Sequence, residues 1–89
     1  MKICKIIGHV WATKKEKSLE GAKLMIVETS KERDGKRERF VAVDIVGAGI
    51  GENVLVISGS AARYAFGQSQ CAVDAAIVGI IDALEVEKA

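Results

Sequence analysis

Proline is absent from this 89-residue chain, and histidine, tryptophan and tyrosine occur once each. Each scarcity removes a class of function. One histidine, His9, with no cysteine at ligand spacing, is a weak nucleus for a metal site. Cys4 and Cys71 lie too far apart for a metal motif and are too few for a disulfide framework. In a reducing cytosol they act as small buried hydrophobes. The four aromatic residues leave little with which to stack nucleic-acid bases. Thirteen basic and twelve acidic residues give a net charge of +1, so no bulk attraction draws the chain to nucleic acid or to a membrane. The opening Lys2-Ile3-Cys4-Lys5-Ile6-Ile7 lacks a signal-peptide apolar region, and no apolar run reaches membrane length. The expected location is the cytosol.

Catalytic and cofactor motifs are missing as well. Ser58, Ser60 and Asp44 lie close in sequence, but no G-x-S-x-G surrounds them and His9 belongs to a different strand. Ser58-Gly59-Ser60 reads better as a strand end with a helix cap. Asp74 and Asp82, on one strand face, would stand far apart. Residues 44–63, DIVGAGIGENVLVISGSAAR, place Gly47, Gly49 and Gly51 at alternate positions. A dinucleotide loop needs G-x-G-x-x-G between a strand and a helix, and a phosphate loop needs Gly-Lys-Ser/Thr. Neither is present, and the segment runs into a strand. The glycines therefore read as backbone devices that permit positive φ or close approach. Where several copies crowd around a symmetry axis, side chains would not fit.

What is abundant is apolar surface. Counting glycine and omitting tyrosine, roughly 58% of residues are apolar, against about 45–50% for an ordinary domain. One small core cannot absorb this, which points to buried subunit interfaces. No linker, heptad run or internal repeat divides residues 1–89, so one domain is expected.

Strand alternation appears over residues 2–12, with Cys4, Ile6, Val10 and Ala12 on one face and a bend or bulge at Gly8. Further strands are expected over 23–29, 40–44, 53–58 and 75–86. Asp34-Gly35 is a hairpin signal within the charged stretch 30–39. That stretch reads either as a phosphate-binding arm or, since its signs largely cancel, as a solvated turn, and the second is favoured. Ser60 is placed to N-cap a short helix that Gly67 stops. The fold class is all-β: a five-stranded OB-like barrel with one short helix between strands 4 and 5. Trp11 reads as an interface residue or a core residue with equal weight.

The segment Asp44-Ile45-Val46-Gly47-Ala48-Gly49-Ile50-Gly51-Glu52-Asn53-Val54-Leu55, followed by Ser58-Gly59-Ser60-Ala61-Ala62-Arg63, resembles the EutN/CcmL family of bacterial microcompartment vertex proteins. Gly8-His9-Val10-Trp11-Ala12-Thr13, Leu19-Glu20-Gly21-Ala22-Lys23-Leu24 and Val73-Asp74-Ala75-Ala76-Ile77-Val78-Gly79-Ile80-Ile81-Asp82 extend the match in order. Ala72 stands where the family often has proline, and Ala61 replaces the second serine of a common pair. The resemblance implies a homopentamer that plugs shell vertices between hexameric shell proteins, with no cofactor, metal, catalytic residue, nucleic acid or membrane. It suggests Gly47, Ala48, Gly49, Gly51 and Glu52 at the five-fold axis or a neighbouring subunit. Arg63, whose planar fork satisfies several carbonyls, is the candidate for a contact across subunits. Two other readings stand beside it. One is an OB-type module for single-stranded nucleic acid or a small ligand, and the other is an enzyme whose site forms only between subunits.

Overall fold

The computed structural model describes residues 1–12, 15, 17–67 and 73–83. The strands are β1 (Lys2–His9), β2 (Lys23–Arg33), β3 (Lys36–Asp44), β4 (Asn53–Ser58) and β5 (Ala75–Ile80). A helix, α1 (Ser60–Phe66), lies between β4 and β5, and a single 3-10 turn (Lys17–Leu19) precedes β2. The strands close into a barrel with neighbour order β1-β2-β3-β5-β4. This is the expected all-β architecture. All neighbours are antiparallel except β3 and β5, whose short parallel pairing Val43↔Ala76 and Asp44↔Ile77 completes the closure. Among the described residues, no helix is long and apolar enough to cross a membrane.

Period-two alternation builds two cores on the two sides of one sheet. Cys4, Ile6, Met25, Val27, Ala42, Val54, Val56 and Ile77 face inward and fill the barrel. On the outer side Val43 and Ala76 form a second cluster with Ala62 of α1, joined by Leu19, Leu24, Ile57 and Phe66. Strands apolar on both faces are thus covered twice, by the barrel interior and by α1 with the 3-10 turn. Burial raises the pKa of the Cys4 thiol, which keeps it in the protonated, inert form.

Gly8 sits at a bulge: the β1–β2 register jumps between Ile6 and Gly8. The jump changes the parity of the strand. Cys4 and Ile6 stay fully buried, but Val10 is only half-buried and Ala12 is exposed. β1 therefore ends at His9 rather than at residue 12, because β2 begins at Lys23 and the last bond available is Val10 N–H to the Leu24 carbonyl, 3.0 Å. β5 also ends early, at Ile80. Ile81 N–H reaches the Asn53 carbonyl at 2.8 Å, and β4 supplies no partner beyond that residue. Asp82 consequently lies outside the strand, and residues 84–86 of the expected strand fall outside the described residues, as do Thr13, Cys71 and Ala72.

The Asp34-Gly35 turn forms as its sequence suggests. Both residues have positive φ, +53° and +74°, as a type I′ hairpin requires, and Arg33 pairs with Lys36 across it. The helix cap differs from expectation. Gly59, at φ +68°, takes the N-cap position with no side-chain bond, and Ser60 is already helical. Gly59 N–H is held by the Asp74 carbonyl and its own carbonyl accepts from Ala62, a tight exit from β4 that leaves no role for the serine hydroxyl. Gly67 ends α1 in the left-handed conformation, donating to the carbonyls of Arg63 and Tyr64.

Candidate subunit-contact site at the glycine loop

The connection from β3 to β4 lies across one end of the barrel. Its anchor is Asp44, whose side chain is completely buried. Oδ1 accepts the N–H groups of Val46 (3.0 Å) and Gly47 (3.1 Å), turning the chain back at once. Oδ2 is 3.4 Å from Nζ of Lys23, the residue paired with Asp44 across the β2–β3 ladder. The same ammonium donates to the Ala48 carbonyl at 3.1 Å. One lysine thus ties the start and the middle of the loop to β2.

The far side of the loop is fastened to β1. Gly51 N–H donates to the Ile6 carbonyl at 2.8 Å, and Ile6 N–H returns a bond to the Glu52 carbonyl at 3.0 Å. Gly47 (φ +79°) and Gly51 (φ +92°) occupy the left-handed region with open space where a Cβ would be, so glycine is required there by backbone conformation and not by crowding. Gly49 has ordinary φ. Its N–H donates to Oε1 of Glu52 at 2.6 Å, and a Cβ there would meet that same oxygen at 3.3 Å.

The loop is therefore a rigid structure built by its own chain. Ala48 is fully buried in the barrel core, where its methyl group plugs the open end. With that side chain turned inward, Ile45, Val46 and Ile50 are turned outward, 40%, 39% and 59% exposed. Trp11, at the same end beyond β1, is 89% exposed and stacks on His9 with ring centroids 5.8 Å apart, which excludes the core reading for this residue. Gly47, Ala48, Gly49, Gly51 and Glu52 are brought together, as their sequence proximity dictates. Arg63 is not among them. It follows β4 at the opposite end of the barrel, where Nη1 contacts the Val73 carbonyl of its own chain at 3.4 Å. Sequence reasoning missed Lys23, whose role depends on the β2–β3 register.

Among the described residues no group of three His, Cys, Asp or Glu converges to hold a metal. Phe40, the single aromatic on the central strands, is partly buried and has Nζ of Lys2 5.4 Å from its ring centroid. It is no platform for stacking a base. What the barrel end presents is a fixed backbone rimmed by unpartnered apolar side chains, a surface suited to another protein.

The family model described as "Ethanolamine utilisation protein EutN/carboxysome" matches residues 1–82. The chain belongs to the EutN/CcmL family. It is 46% identical over 88 residues to the bacterial microcompartment shell vertex protein GrpN of Rhodospirillum rubrum (strain F11), covering 96% of this chain and 97% of the relative. The solved structure of CcmL from Nostoc sp. PCC 7120 superposes with a TM-score of 0.84 at 45% identity, over 94% of this chain and 92% of that one. A solved GrpN from Rhodospirillum rubrum, described as a pentameric microcompartment shell protein, superposes with a TM-score of 0.80 at 42% identity, covering 99% of this chain and all of its own (100%). EutN/CcmL relatives with this barrel are thus shell proteins, and the OB-type binding module loses its support.

Proposed function

We infer that the protein is a structural shell subunit that assembles as a ring of five and caps a vertex of a bacterial microcompartment. The observation that carries this reading is the end-to-end superposition on a shell protein described as pentameric. Relatives named as shell vertex proteins support the vertex position. In this reading the ring sits among hexameric shell proteins in the cytoplasm, away from membranes and nucleic acid. It performs no reaction and holds no cofactor or metal.

The glycine loop faces the five-fold axis or the adjoining subunit. Gly47, Gly49 and Gly51 present backbone there, while Ala48 contributes through its backbone because its methyl group is buried. Glu52 brings one carboxylate per chain, and Arg63 reaches a neighbour from the opposite end of the barrel. Loop and arginine occupy different surfaces of one protomer, as the head-to-tail contact of a closed ring requires.

Native mass spectrometry at micromolar concentration tests the ring. Five chains of 9.5 kDa give about 48 kDa. A Gly49→Leu variant should fold but lose that mass, since its side chain displaces the Glu52 carboxylate and projects from the loop. A wild-type protein that remains a 9.5 kDa monomer overturns the reading, and a normally assembled Gly49→Leu ring overturns the placement of the loop.

A further inference from the structure

The β2–β3 hairpin outgrows the barrel. The β1–β2 ladder reaches only to Cys4↔Thr29, and Lys2 and Ile3 pair with β4 alone. Between Glu28 and Glu32 the β2–β3 register slips as well, leaving Thr29, Ser30 and Lys31 opposite Glu38. The side chain of Thr29 fills the break: Oγ1 accepts Glu38 N–H and donates to the Lys31 carbonyl, both at 3.1 Å. Beyond this bulge the hairpin is a free two-stranded arm of two rungs, Glu32↔Arg37 and Arg33↔Lys36, about 7 Å of strand at the ordinary rise per residue before the turn.

Where β1 and β2 part, they leave a groove of about 490 Å³. Along one side runs the free edge of Lys2–Ile3, and along the other the free edge of Ser30–Arg33. Met1 and Ile3 supply apolar surface. The charges around it are unequal. Glu38 is paired with Lys2, Glu28 with Arg39 and Arg37, and Glu32 with Arg37. The side chains of Lys31, Arg33 and Lys36 have no ion pair or hydrogen bond among the described residues, against a single acid at the tip, Asp34.

We propose that this groove is a strand-addition site for an extended, acidic segment of another protein. Two facing sheet edges offer main-chain bonds to a strand laid between them. Alternate side chains of such a strand point to opposite faces, one row toward Met1 and Ile3 and the other outward. Carboxylates along it meet Lys31 and Arg33. A second copy of the arm is a poor occupant, because it would bring the same unpaired cations against each other. The basic edge thus discourages self-pairing while admitting an acidic strand. The site is separate from the glycine loop, at the other end of the barrel, and a ring of five would display five such grooves.

The test uses the whole protein and a fluorescently labelled synthetic peptide of about eight residues alternating glutamate and valine, long enough to span the free edge. Fluorescence anisotropy should show saturable binding. A matching lysine–valine peptide should bind at least about tenfold more weakly, and the double variant Lys31→Glu/Arg33→Glu should weaken the acidic peptide by a similar factor. N-methylation of alternate peptide nitrogens should weaken binding strongly, since it blocks the hydrogen bonds to one of the two edges and leaves the charge. Absence of binding up to about 1 mM overturns the proposal. Equal binding of the N-methylated peptide overturns strand addition, and equal binding of the basic peptide, or to the double variant, overturns the role of the cations. Native mass is read in the same samples, so failure of the groove and failure of the ring are separate outcomes.

Discussion

Replacing Asp44, whose buried carboxylate holds both ends of the turn into the glycine loop, should loosen that loop. Asp44→Ala removes the acceptor for the Val46 and Gly47 N–H groups and the partner of Lys23. In a dry site such charge-assisted bonds are each worth about 1.5–3 kcal/mol. Val46 and Gly47 are exposed, however, so water takes over part of each bond, and about 1–2 kcal/mol remains for the two together. Lys23 is 46% exposed, which limits its ion pair to about 0–1 kcal/mol despite the complete burial of its partner. Oδ2 accepts no hydrogen bond, a desolvation cost that the wild type already carries. The net loss is about 2 kcal/mol, equivalent to a fall of about 8–16 °C in Tm for a domain of this size. Asp44→Asn keeps an oxygen at the Oδ1 position and sets an amide beside the lysine, so it should lose about half as much. Urea unfolding at one fixed chain concentration measures both, the fixed concentration being needed because assembly contributes to apparent stability. If Asp44→Ala is as stable as wild type within about 0.5 kcal/mol, or if asparagine is as damaging as alanine, the carboxylate is not the loop's anchor.

Two further outcomes follow from the arm. Gly35→Ala places a Cβ at φ +74° and should cost about 1–2 kcal/mol, confined to the hairpin beyond Thr29. Amide exchange should accelerate over residues 30–39 while the amides of Ile6 and Ile77 keep their protection, and uniform acceleration would mean that the arm is part of the barrel's cooperative unit. The second outcome concerns acid. The hydrogen bond from Arg39, at 2.8 Å, holds the Glu28 carboxyl below its ordinary pKa, with the charges of Arg39 and Arg37 adding to the effect. A depressed carboxyl contributes stability that is fully present above the unfolded-state value of about 4.3 and is lost as pH falls through the folded-state value. NMR titration should show Glu28 moving toward ordinary behaviour in Arg39→Gln, and an unchanged Glu28 titration would refute that cause.

How much of this was legible depended on whether a residue's role is local. Asp34-Gly35 announces its turn because both positions need positive φ, and the need is met within two residues. Gly8 announces its bulge by standing in the middle of a strand pattern, not by a positive φ. The arm on either side of the turn was hidden. Its strands are charged on both faces, and the cross-strand ladder of Glu28 and Glu32 with Arg37 and Arg39 takes the place of apolar alternation, which is the signal used to find strands. Ser60 suggested a cap by residue type, but the cap is decided by Gly59, which Asp74 holds from a distant part of the chain. Within the loop, glycine content was plain, while the inward turn of Ala48 and the tie from Lys23 depend on barrel closure and strand register. No local pattern encodes either.

The apolar excess shows how far composition alone can be taken. It suggested subunit interfaces because one small core cannot hold it. The fold has two cores, and the outer one under α1 absorbs Val43, Ala62, Val73 and Ala76. That accounts for part of the excess without any partner. The rest is unevenly distributed. Among the described residues, Trp11, Ile45, Val46, Ile50 and Ile80 are exposed at the barrel end closed by the glycine loop, while Met1, Val41 and Tyr64 are exposed elsewhere. Scattered apolar residues would need no explanation, but a rigid loop that buries its alanine and turns three β-branched residues outward does. Their outward placement is intelligible when a second protein supplies the missing half of the packing, and the glycines between them allow its backbone to come close.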